Sequence, residues 1–259
     1  MESRNPVLNR EFGRDGTAYT ASVDAATLQE MYDRPVTTGR TMSIDDVVVK
    51  TGALFALLVL AAVVGWNLVA TAPALMWGSL IVAFGIGMVV SFKRTTNPAL
   101  IMAYSVAEGF FLGGISQWYN AAYNGIVLQA VIGTFTAFAV MLVLYKSGRL
   151  RATPRFTKMM TIAMFSYLGI AVVSLFSAFF GVGGGWGFYG VGGIGILLCA
   201  AGVALAAFTL VLDFDAIEKG VAAGLPEKES WRAGFGLVVS LVWLYLELLR
   251  LLAILQGRN

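Results

Sequence analysis

Beyond about position 47 the chain is a succession of long apolar runs separated by short polar turns, falling at 47–70, 74–92, 99–118, 126–145, 159–180, 194–213 and 235–255. Each run is close to the ~20 residues that an α-helix needs to cross a bilayer. The pattern predicts an all-α integral membrane protein with seven transmembrane helices. Residues 1–42 are different: polar, mixed in charge, rich in Thr, Asn and Gly, and without a sustained period. They read as a flexible cytoplasmic N-terminal tail ahead of a transmembrane domain over 43–259. Between the two, Ser43-Ile44-Asp45-Asp46 has the form of a helix capping box with acids in the first turn. The first apolar run lies too far from the N-terminus to be a secretory signal.

The charges orient these runs. The turns after runs one, three and five, around Thr71, 119–125 and 181–193, contain no Lys or Arg. Those after runs two, four and six carry Lys93 and Arg94, then Lys146, Arg149, Arg151, Arg155 and Lys158, then Lys219, Lys228 and Arg232. With the tail, sixteen of the 18 basic residues fall on one side, which the positive-inside rule makes cytoplasmic. The N-terminus is expected inside and the C-terminus outside; only Arg250 and Arg258 depart from the bias. Trp66, Trp77, Trp118, Tyr119, Tyr123, Trp186 and Tyr189 gather at the outer interface and Trp231 at the inner one, as membrane anchors do.

Composition then narrows the chemistry. Apolar residues make up 58% of the chain, mean hydropathy is +0.77, and fourteen of the 33 charged residues lie within the first 50 positions. The chain has no His and one Cys, Cys199, inside an apolar run. That excludes His-ligated haem, Ser-His-Asp and Cys-His hydrolases, zinc metalloprotease motifs and disulfide scaffolds. The net charge of +3 is explained by orientation in a membrane, so the expected partner is the lipid bilayer and not nucleic acid. No cofactor and no enzymatic constellation are expected.

Each ionisable side chain within a span needs a reason, since it costs about 2.5 to 3.5 kcal/mol on insertion scales. Glu247 and Arg250 lie at i and i+3 in run seven, placed either to neutralise one another or to leave Glu247 as a pore or proton site. Asp213 and Asp215 close run six. Asp215 and Glu218 read as a solvated cluster at a helix end, whereas Asp213, the deepest, reads as functional. Glu108, in run three, has no cation within four residues, so it is protonated, hydrogen-bonded to another helix or facing water along a path. Residues 181–193 hold eight glycines but no Walker-type Lys or Ser/Thr, and read as a flexible outer turn. Gly85, Gly87, Gly109, Gly113 and Gly202 are expected to let helices approach closely. Run seven lacks the Lys of a retinal Schiff base, and the Gly-x-Gly-Asp motif of intramembrane aspartyl proteases is missing.

Three stretches resemble the Bax inhibitor-1-like (transmembrane Bax inhibitor motif) family, and within it the bacterial YccA/YetJ-type branch. They are Asn97-Pro98 with Glu108-Gly109 through Gly113, Leu212-Asp213-Phe214-Asp215-Ala216-Ile217, and Leu244-Tyr245-Leu246-Glu247 with Leu249-Arg250-Leu251-Leu252. The resemblance covers about residues 43–257. It implies six helices wrapped around a central C-terminal one, and a pH-sensitive calcium leak channel of the bacterial plasma membrane. The implied gate is an acidic pair, Asp213 with Glu247, which would also be the transient calcium ligands; Glu108, Asp215 and Arg250 would support the path. Phe214 and Asp215 replace the Thr and Gln of the family's Asp-Thr-Gln-x-Ile motif, Glu247 replaces an Asp, and residues 222–231 form an apparent insertion. A second implied role is a membrane-embedded regulator of a membrane protease or of stress survival, without flux. Depth counting opposes the pair: at ~1.5 Å per residue the two acids differ in depth by ~12 to 15 Å.

Overall fold

The computed structural model describes residues 39–257 apart from Trp186. Seven helices follow in order: α1 (Ile44–Leu68), α2 (Pro73–Lys93), α3 (Pro98–Ala122), α4 (Ile126–Lys146), α5 (Pro154–Phe179), α6 (Gly192–Ala222) and α7 (Glu229–Gln256). All seven are long and apolar enough to span a membrane. Their starts are written locally. Pro73, Pro98 and Pro154 open α2, α3 and α5, where a missing N–H costs nothing. Asn97 accepts from the Ala99 amide at 3.0 Å and Thr153 from the Phe156 amide at 3.2 Å. The capping box forms at α1: Ser43 Oγ accepts from the Asp46 amide at 3.1 Å, and the Asp46 carboxylate accepts from the Ser43 amide at 3.2 Å.

α6 and α7 run past their apolar runs at the hairpin that joins them. α6 continues from Asp213 to Ala222, so Asp213 and Asp215 lie inside a helix and not at its end. Its 31 residues span about 46 Å, more than the ~30 Å hydrocarbon layer, so its last turns stand in the aqueous region. The Lys219–Asp215 pair, at 2.6 Å and spaced i, i+4, ties that extension together. α7 likewise begins at Glu229, making 222–231 the tip of a long helical hairpin.

α7 is the central helix. It packs along α1, α3, α4 and α6, while α2 rests on α3, and α5 stands outside α6. α1 and α3 approach most closely because Gly109 and Gly113 carry no side chain. A Cβ at either would run into the backbone carbonyl of Leu58 or Ala62. Gly202 faces Tyr167 and Glu247. Gly85 has nothing within 4 Å of a would-be Cβ and Gly87 meets only the Tyr104 ring at 3.5 Å, so the expected packing role does not extend to Gly85.

The glycine-rich segment is built, not slack. It forms two 3-10 turns, Val182–Gly185 and Gly187–Gly190, with Gly183, Gly184 and Gly187 at φ of 61°, 65° and 62°. Gly187 lies against the backbone of Ser174 in α5, and Ser174 Oγ accepts from the Phe188 amide at 2.9 Å. At the opposite end, the segment entering α1 is clasped to the hairpin tip. The Met42 amide donates to the Leu225 carbonyl at 2.7 Å and the Glu227 amide to the Arg40 carbonyl at 2.8 Å. Lys50 Nζ meets the Glu227 carboxylate at 3.0 Å and lies 5.7 Å from the Trp231 ring centroid. Residues 40–42 are therefore fixed, although they were expected to belong to the flexible tail; the rest of that tail lies outside the described residues.

Candidate functional site

Two carboxylates face the α6–α7 interface at different levels. Asp213, half-buried on α6, accepts from Ser240 Oγ of α7 at 2.5 Å, and the backbone at Gly236 leaves room beside it. No cation pairs with it among the described residues: Lys219, the nearest in sequence, is held by Asp215. A carboxylate without a counter-charge, held in place by one hydroxyl, is a site that can attract a cation.

Glu247 has the opposite surroundings. Only 4% of it is exposed, and its Oε1 accepts from Tyr167 Oη at 2.9 Å, Trp243 Nε1 at 3.2 Å and Arg250 Nη1 at 3.3 Å. The Arg250 guanidinium also lies 4.5 Å from the Tyr189 ring centroid, a cation–π contact delivered by the glycine-rich turn. The Tyr189 hydroxyl donates to Tyr167 at 3.2 Å, which closes the network. Of the two readings open to Glu247, this geometry realises the ion pair with Arg250. Charge, donors and ring stack together offset the desolvation of the carboxylate.

The acids do not form the implied pair. Asp213 meets α7 at Ser240, whereas Glu247 meets α6 at Gly202. Counted along either helix, these two levels are ~10 to 16 Å apart. Sharing a proton requires oxygens within ~3 Å, and one calcium ion would need both within ~2.6 Å of itself. The acidic pair and the joint calcium ligation are therefore both corrected: there are two stations, as depth counting indicated. Among the described residues no cluster of three or more acids, His or Cys could hold a metal ion.

Of the supporting residues, Arg250 belongs to the Glu247 network. Asp215 pairs with Lys219 and Glu218 accepts from Tyr145, both on the aqueous part of α6. Glu108 is 8% exposed on α3 and makes no side-chain hydrogen bond among the described residues; it joins neither station. The sequence reading missed Ser240, Trp243, Tyr167 and Tyr189. Trp243 was within reach, standing one turn before Glu247 on the same helical face. The two tyrosines come from another helix and from the glycine-rich turn, which no spacing rule connects to Glu247.

No curated protein matches this chain. The sequence model described as Bax inhibitor 1 like matches residues 5–257, so the match reaches well into the N-terminal tail and not only to residue 43. Seven spanning helices and a match over nearly the whole length agree: this is a multi-pass membrane protein that belongs to the Bax inhibitor 1 like family.

Proposed function

We propose that the protein is a pH-sensitive leak for cations, calcium in particular, with a path along the α6–α7 interface past two separate carboxylates. The observation that carries this reading is Asp213, a carboxylate between two spanning helices with a hydroxyl partner and, among the described residues, no counter-charge. In the proposed path it gathers cations near the cytoplasmic face. Glu247 is the outer station, closed by Arg250: an internal cation occupies the place that a permeating one would take. With no His in the chain, pH sensing falls to the carboxylates. Ionisation of Asp213, which has no paired cation among the described residues, creates the charge that attracts cations, so flux is expected to rise with pH. We assign the protein to the bacterial plasma membrane with a cytoplasmic N-terminus, following the YccA/YetJ resemblance and the basic even-numbered turns.

The test is calcium-dye flux in liposomes holding the purified chain, beside Asp213→Asn. A flux above that of empty liposomes, rising with pH and lowered several-fold by the substitution, supports the leak. A second reading, regulation of a membrane protease, is favoured by the clasp that joins the root of the tail to the hairpin tip. Deleting residues 1–38 should then abolish the regulatory effect while Asp213→Asn leaves it intact.

A further inference from the structure

A cavity of about 560 Å³ lies between α1 and α4, away from both carboxylates. Its walls are Val59 and Val63 of α1 and Val131 and Phe135 of α4; its floor is Leu112 of α3 with Val242 and Tyr245 of α7. α1 packs on α3 and α7 and has little direct contact with α4. The Phe55 and Phe135 rings, with centroids 5.6 Å apart, close the inner end, while Trp66 and Asn67 stand at the outer end. Val59, Val63 and Phe135 are exposed, so the mouth is continuous with the surface that the spanning helices present to hydrocarbon.

We infer that this groove binds one acyl chain of an outer-leaflet lipid. The hydroxyls inside it are already satisfied. Ser116 and Tyr245 hydroxyls bond each other at 2.6 Å, and Thr134 donates to the Ala130 carbonyl at 2.8 Å. Water would find too few partners there, and a polar ligand would lose its own hydration without replacement. From Phe55 to Trp66 the groove runs ~16 Å along α1, close to the ~15 Å of one leaflet's hydrocarbon. A single flexible hydrocarbon chain fits both the length and the lining. Seated there, it presses on α7 at Val242 and Tyr245, within a turn or two of Glu247. The inference stands whether or not ions pass.

Photolabelling decides it. The full chain is reconstituted in phosphatidylcholine vesicles doped with a phospholipid bearing a diazirine at the end of its acyl chain, and adducts are mapped by peptide mass spectrometry. Leu112, Val242 and Tyr245 should be labelled about as strongly as Phe165 and Phe176 on the exposed surface of α5. Val131→Trp or the milder rim substitution Val59→Phe should reduce floor labelling several-fold and leave the α5 sites unchanged. Floor labelling no stronger than at the buried Leu210 and Val211 would overturn the inference, and so would floor labelling that persists in both variants or cross-linking to a second copy in its place. Should Val131→Trp fail to fold, Val59→Phe and the wild-type map still decide.

Discussion

Arg250 is the residue on which closure of the proposed path turns, because its guanidinium neutralises Glu247 and is itself held against the Tyr189 ring. Arg250→Gln should therefore move two quantities in opposite directions. Removing one member of a buried pair typically costs 3 to 5 kcal/mol, but the Arg250 side chain is about a third exposed, so a loss of about 1 to 3 kcal/mol is expected here. Thermal unfolding in detergent should show the lower Tm, while calcium flux rises several-fold because the blocking cation is gone. A lower Tm with unchanged flux would make the network purely structural. At this scale the sequence disclosed what helical spacing encodes: Glu247 with Arg250 at i+3. It did not disclose Tyr167 or Ser240, since their roles depend on how separate helices meet. The family motif pointed to Glu247 as the partner of Asp213, but the long α6–α7 hairpin sets the register so that Ser240 faces it instead.

Glycines decide how closely the helices pack, and they do so one contact at a time. At Gly113 a methyl group would strike the Ala62 backbone, which cannot move without shifting α1, whereas at Gly85 it would meet nothing within 4 Å. Gly113→Ala should cost about 1 to 3 kcal/mol, as overpacking does, and Gly85→Ala should leave stability unchanged or slightly raised. Thermal melts of the two variants beside the wild type check the contrast; equal Tm values would contradict the α1–α3 packing. The start of α1 was legible because the Ser43 capping box is a local signal, whereas α5 and α7 begin at Pro154 and Glu229, several residues ahead of the apolar runs at 159 and 235. The aqueous extension of α6 was not legible, since hydropathy falls after Asp213 while the helix continues through the Asp215–Lys219 pair. The glycine-rich turn was misread for a related reason: composition suggests slack, yet Gly187, left-handed and against Ser174, helps build an ordered turn that carries Tyr189 inward.

For the molecule as a whole, seven spans and the asymmetry of basic turns predict one orientation. In a Cys199→Ala background, a single cysteine from Asn124→Cys should react with a membrane-impermeant maleimide on intact cells, and one from Ser147→Cys only after lysis. The reverse pattern would invert the topology and exchange the ends assigned to the two stations. Separation of those stations is the central claim, and it has an energetic consequence. At ~12 Å and an effective dielectric of ~20, two carboxylates interact by about 1.4 kcal/mol, against about 4 kcal/mol at 4 Å, and Arg250 reduces the longer-range value further. The most direct test is a double-mutant cycle on calcium flux, comparing wild type, Asp213→Asn, Glu247→Gln and the double variant in liposomes across about pH 5 to 8. Separate stations predict that the two single effects on the logarithm of the flux add in the double variant. Flux no greater than that of empty liposomes at every pH, or a double variant no different from either single one, would contradict the account.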